Sequence, residues 1–157
     1  EVLDIGSGDG RIAYCGKILG LNAYGIEIDN MLVDLQNYIS KKTVIDFNPI
    51  CSDAVTFDYD SLKLTEPAFF IGGLPQMGGD VLASNIISNL NNNLKEKTCM
   101  VLTGSYSEKY SVNDTKDGGW RKLIDDTGLK IIQSNSLPTV WSFDQTTETP
   151  YIFTKFS

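Results

Sequence analysis

The densest chemical signal in the chain is Leu3-Asp-Ile-Gly-Ser-Gly-Asp-Gly10, with glycines at alternate positions between an apolar run and an amphipathic one. Glycines so placed let the backbone turn sharply and pass close to a ligand, and the free amides of a following helix can receive an anion or a polar group. A second apolar run ends in Glu27, at the distance of about 20 residues where an acid can accept both hydroxyls of a ribose. The spacing is G-x-G-x-G. A dinucleotide fold wants G-x-G-x-x-G, whose third glycine would fall at Arg11, so a nicotinamide cofactor is disfavoured. No G-x-x-x-x-G-K-[ST] occurs, which removes the P-loop.

The composition narrows the remaining chemistry. Histidine is absent, so the Ser-His-Asp and Cys-His nucleophile pairs and imidazole-ligated metals are out, and any acid or base is a carboxylate, Tyr, Lys or Cys. Cys15, Cys51 and Cys99 form no C-x-x-C pair and their number is odd. They are expected to be buried free thiols in a reducing compartment such as the cytoplasm, with no metal site. With 13 basic against 20 acidic residues the formal charge is −7, which disfavours nucleic acid as a partner and steers a basic one. The longest apolar stretch, near residues 68–74, is far short of the ~20 residues that span a bilayer.

Apolar periodicity supplies the elements that position these residues. Strands are expected at 1–5, 23–28, near 47–52, at 68–71 and at 98–103. Helices are expected at 11–19, from a cap at Asn30 with Leu32, Leu35, Tyr38 and Ile39 on its apolar face, and at 80–94 from a cap at Asp80. After a polar loop over 104–118 and a short helix over 119–127, strands at 129–138 and 151–156 follow each other without a helix, as a hairpin would. The expected fold class is α/β: a Rossmann-like, doubly wound, seven-stranded sheet, mostly parallel, with a C-terminal antiparallel hairpin at its edge. A chain of 157 residues has room for one domain, 1–157. It opens at Glu1 inside a strand and without an initiator Met, so a segment before the first strand is expected to be missing.

The hydrophobic-Asp-hydrophobic-Gly-x-Gly-x-Gly pattern, with an acid ending the next strand, resembles the class I methyltransferases that use S-adenosylmethionine, and the strand-helix order extends the resemblance over essentially the whole chain. It implies S-adenosylmethionine as the cofactor. Gly6, Ser7, Gly8 and Gly10 would pass its methionine and ribose portions, with Asp4 holding the turn or the amino group. Glu27, with Ile28 beside it, would bind the ribose hydroxyls. In Ser52-Asp53-Ala54, Asp53 would accept the adenine amino group and the Ala54 amide would bond a ring nitrogen, though Asp53 also reads as a plain turn residue.

After the fourth strand stands Gly72-Gly-Leu-Pro-Gln-Met77 rather than the Asn/Asp-Pro-Pro-Tyr/Phe of many amino-methyltransferases. This turn, the Gly-Ser-Gly-Asp-Gly-Arg11 run and a late Thr139-Val-Trp-Ser-Phe-Asp144 look like the small protein-lysine methyltransferases that modify the ATP synthase c subunit and the adenine nucleotide translocase, and their archaeal relatives. The resemblance implies methyl transfer to a nitrogen, foremost a lysine of a basic protein. Gly73 would border the cofactor, Pro75 and Gln76 the incoming amine, and Trp141, with Phe143, would offer cation–π contact. Gln76 can equally be a solvated loop residue and the two aromatics ordinary core. Tyr106 and Tyr110 lie in the loop that borders the acceptor side. An RNA or small-molecule acceptor, or a catalytically silent cofactor-binding module, are the alternative readings.

Overall fold

Short apolar runs alternating with amphipathic stretches fold here into strand–helix units. The structure, a computed structural model, describes residues 1–104, 119–138 and 148–157, the Gln76 side chain excepted. β1 (Val2–Ile5) leads into α1 (Arg11–Ile18), β2 (Ala23–Glu27) into α2 (Asn30–Thr43), and β3 (Pro49–Cys51) closes that half. A 3₁₀ turn (Tyr59–Leu62) precedes β4 (Ala68–Ile71), and a second one (Pro75–Met77) precedes α3 (Gly79–Asn89) and α4 (Asn92–Lys97). Then come β5 (Cys99–Thr103), α5 (Arg121–Thr127), β6 (Leu129–Pro138) and β7 (Glu148–Phe156).

These strands form a seven-stranded sheet in the order β3-β2-β1-β4-β5-β7-β6. The neighbours from β3 through β5 are parallel. β7 is antiparallel to both β5 and β6. The hairpin is therefore present, but its antiparallel strand is not the edge. β6 returns from the α5 crossover running with the parallel strands, and β7 folds back into the gap between it and β5. From β1 the chain steps outward to β2 and β3, then resumes on the other side at β4, so the order reverses between β1 and β4. Right-handed crossovers in opposite directions place α1 and α2 on one face and α3 to α5 on the other.

The two faces are packed unequally. Leu3, Ile5, Phe69, Ile71, Met100 and Ile152 meet Ala83, Ile86 and Ile124 in one large core with Trp120 fully buried. On the α1 face the buried cluster is Ala13, Ala23 and Phe47. Beside it a groove of about 400 Å³ runs past Ile12, Phe70, Val101, Tyr151 and Phe153. Among the described residues no helix is long and apolar enough to cross a membrane, and no cluster of metal-ligating side chains occurs.

Several local expectations are corrected. Asp29, not Asn30, caps α2: its carboxylate accepts from the Met31 amide at 2.8 Å. Leu35 and Tyr38 are exposed, and the helix buries Val33 and Gln36 instead. The single helix expected over 80–94 is two. Leu90 is extended (ψ 134°), and Asn91 starts α4 by accepting from the Leu94 amide at 2.8 Å. Gly78 in left-handed backbone, rather than Asp80, precedes α3. Cys15 and Cys51 are exposed and Cys99 is half-buried, where burial pushes its thiol up. Apolar spacing shows that a helix has an inner face; it does not show how far a neighbouring element reaches over that face.

Candidate functional site

The C-terminal ends of β1, β2, β3 and β4 lie side by side because the strands are parallel and in register. That edge, where the strand order reverses, is where open α/β sheets bind ligands. The Gly6–Gly10 turn sits there. Gly6, Gly8 and Gly10 have φ of 65°, 57° and 78°, a left-handed backbone that side chains with a Cβ adopt only under strain. Gly10 is also sterically required: a Cβ there would stand 2.6 Å from the Phe47 ring and 2.9 Å from Gln36 Cγ. At Gly6 and Gly8 a Cβ would meet nothing within 4 Å, so open space lies in front of the loop.

Polar side chains from other elements hold this turn. Glu27, at the end of β2 and buried, accepts from the Gly8 amide through Oε2 at 2.8 Å and from the Ile28 and Asp29 amides through Oε1 at 2.9 and 3.0 Å. Gln36, fully buried on α2, donates from Nε2 to Ser7 Oγ at 2.9 Å and to the Gly8 carbonyl at 2.8 Å. Asp4, also buried, accepts from the Ala13 amide at the start of α1 at 3.4 Å. Burial pushes its carboxyl up to about 7; the α1 amides oppose the shift, and the charges of Asp9 and Glu27 add to it. At the loop tip Arg11 forks onto Asp9, with Nη2 2.6 Å from Oδ2, and that hydrogen-bonded pair holds the Asp9 carboxyl below its usual range. Arg11 therefore pairs with an acid at the turn.

Past β3, exposed Asp53 accepts from the Val55 amide at 2.8 Å, and the Tyr59 hydroxyl donates to the carbonyl of buried Ala54 at 2.6 Å. Past β4 the backbone folds on itself. The Met77, Gly78 and Gly79 amides donate to the Leu74, Pro75 and Leu74 carbonyls at 2.9–3.1 Å. A Cβ on Gly79 would collide with the Gly73 carbonyl. Pro75 is buried against the end of β5, where a Cβ on Gly104 would touch Leu74, Trp120 and Pro75 at 3.2–3.5 Å. The Trp120 indole donates to the Thr103 carbonyl at 2.9 Å and so ties α5 to the end of β5.

The structure thus brings Asp4, Gly6, Ser7, Gly8, Gly10, Glu27 and Ile28 to one place, with Asp53 and Ala54 after β3 and Gly73 and Pro75 after β4 along the same edge. The Gln76 side chain, Trp141, Phe143, Tyr106 and Tyr110 lie outside the described residues. Sequence reasoning missed Gln36, Gly79 and Trp120. A polar residue four positions after Leu32 on an otherwise apolar helix face was the available signal for Gln36.

No family model and no curated protein sequence matches the chain. Solved structures do. The magnesium protoporphyrin IX methyltransferase of Synechocystis, crystallised with bound S-adenosylmethionine, is 16% identical over 99% of this chain and 69% of its own, with a TM-score of 0.68. A glycopeptide N-methyltransferase in complex with S-adenosylmethionine is 10% identical over 99% and 86%, with a TM-score of 0.67. An S-adenosylmethionine-dependent methyltransferase of Clostridium acetobutylicum is 10% identical over 99% and 83%, with a TM-score of 0.65. Likeness at such identity is likeness of fold. The chain has the seven-stranded α/β fold of the class I S-adenosylmethionine-dependent methyltransferases.

Proposed function

We propose that the chain is a methyltransferase that binds S-adenosylmethionine along the ends of β1 to β4 and transfers its methyl group to a nitrogen, with a protein lysine as the acceptor. The observation that carries the cofactor reading is the free space before Gly6 and Gly8, framed by a carboxylate that already sets the Gly8 amide. Oε1 of Glu27 spends both lone pairs on the Ile28 and Asp29 amides, while Oε2 keeps one beyond its bond to the Gly8 amide, so Oε2 can still accept a ribose hydroxyl next to Ile28. Asp53 and the Ala54 amide stand where adenine would end. Asp4, Ser7 and Gly10 shape the turn from beneath, and Gly73 borders the far side. When bound, the cofactor supplies an electrophilic methyl on a sulfonium.

This chain's own part is positioning. A lysine amine, with an ordinary pKa of ~10.4, must lose its proton and its water before it can attack. Pro75 fixes the turn that would receive it, the Gln76 carbonyl would orient it, and Trp141 would face its charge. The charge of −7 suits a basic target. A small-molecule acceptor is the second reading, supported by two solved structures of the same fold, a magnesium protoporphyrin IX methyltransferase and a glycopeptide N-methyltransferase.

Calorimetry with S-adenosylhomocysteine tests the cofactor. Wild type is expected to bind, and Gly8→Val and Glu27→Ala to lose at least about 100-fold in affinity, the size of a strained residue or lost charge-assisted bonds. Unchanged affinity in both variants sinks the assignment. Labelled methyl transferred into protein of a lysate supports the lysine acceptor. Label only in RNA or small molecules refutes it, and binding without any transfer favours a silent module.

A further inference from the structure

Gln36 is the polar side chain among the largest fully buried ones in the described core, and its surroundings are built around it. Its Nε2 reaches across from α2 to the glycine loop and takes two acceptors there, Ser7 Oγ and the Gly8 carbonyl. Two glycines make the room. A Cβ on Gly10 would press on Gln36 Cγ and Cδ at 2.9 and 3.0 Å, and a Cβ on Gly25, in β2, would stand 2.7 Å from Gln36 Oε1. That Oε1 is buried without a hydrogen-bond partner among the described residues. The orphaned acceptor offsets part of what the two donated bonds contribute to stability. What the arrangement achieves is local. The Gly8 amide is held by Glu27 and the Gly8 carbonyl by Gln36, so the peptide planes on both sides of Gly8 are oriented before any ligand arrives.

We propose that Gln36 is a positioning residue that presets the glycine loop for the cofactor; the proposal rests on the cofactor reading above. It acts through Gly8 and Ser7 and touches no reacting atom. Its carboxamide bears on affinity more than on stability, because the orphaned acceptor offsets its two bonds, which separates it from an ordinary core residue.

The test is S-adenosylhomocysteine calorimetry together with thermal melting of the whole chain, on wild type, Gln36→Met, Gly25→Ala and Ser7→Ala. Gln36→Met keeps the volume and drops both the donor and the orphaned acceptor. It is expected to melt within a few degrees of wild type, since losing the orphaned acceptor offsets losing the two bonds, while its dissociation constant rises at least about tenfold, the size of two released hydrogen bonds. Gly25→Ala leaves Gln36 in place and displaces its carboxamide together with the Ser7 hydroxyl it bonds, 3.0 Å from the new Cβ, so a loss of affinity beyond that of Ser7→Ala is expected even if Gln36→Met does not fold. Ser7→Ala removes one of the two acceptors and is expected to weaken binding less, with no added effect in the Gln36→Met background. Affinity that stays at the wild-type value in Gln36→Met and Gly25→Ala, or that falls only in step with melting temperature, overturns the role of Gln36 and leaves the cofactor reading standing. Absence of binding in wild type itself overturns the cofactor reading, and this proposal with it.

Discussion

The turn after β1 and the turn after β4 leave neighbouring parallel strands at the same edge of the sheet, yet they are held by opposite means. Side chains from other elements clamp the first: Glu27 from β2, Gln36 from α2, and Asp4 beneath α1. The second is shaped by its own backbone, through amide-to-carbonyl bonds within residues 74–79 and the close approach of Gly79 to Gly73, with Pro75 lodged against β5. A loop clamped from outside keeps its shape with nothing bound, as a cofactor cradle should. A loop folded on itself commits few side chains to its own upkeep, which fits the acceptor-side role proposed for this turn.

The contrast can be broken at either turn. The largest effect is expected at the second: Gly79→Val drives a branched side chain into the Gly73 carbonyl and should cost more than about 4 kcal/mol, read as a collapse of the melting temperature. A variant that melts like wild type would mean that close backbone packing does not hold this turn.

At the first turn the sharpest probe is pH. Asp4 has its folded pKa raised from the ordinary carboxylate value of 3.8 to about 7 by burial. The folded state therefore favours the protonated acid. This group's share of stability is complete below the ordinary range and is lost as pH rises toward 7, by at most about 4 kcal/mol. Asp4→Asn keeps an acceptor for the Ala13 amide and cannot ionise. Its melting temperature is expected to exceed that of wild type at pH 8 and to match it near pH 4; parallel profiles across that window would remove the buried charge from the account.

The smallest effect belongs to the support behind the second turn. Trp120→Phe keeps most of the buried ring and loses the bond to the Thr103 carbonyl, for about 1–2 kcal/mol. That corresponds to a melting shift of roughly 2–8 °C, and cofactor affinity should be unchanged. A loss of affinity larger than the loss of stability would join the two turns into one unit.

The same contrast governs what could be read from residues alone. The Leu3–Gly10 spacing and Glu27 are local signals, because the turn needs glycine for its backbone angles and the carboxylate must end the next strand. They put the glycine turn and Glu27 at the ends of two strands that the structure sets side by side. Gln36 escaped because its partners are 28 and 29 residues away, and a lone Gln on an amphipathic helix carries no mark of what it touches. Asn91-Asn-Asn93 reads as a helix-end turn, and a helix does end there, but Val81, Leu82, Ile86, Leu90 and Leu94 keep helical spacing through it, so that a second helix starts from the Asn91 cap was not legible. Val81, at 60% exposed, is on the expected apolar face and outside the core.

The amino-acid sequence by itself determined the alternation of strands and helices, the glycine turn and the acid that faces it, since each follows from backbone angles or from periodicity within one segment. Tertiary structure alone decided that β7 inserts between β5 and β6, that Gln36 and Glu27 hold Gly8 from two sides, and that Gly79 must lie on Gly73. Those choices depend on which distant segments meet, and the cost of a misplaced Cβ or an unpaired amide exists only once they do.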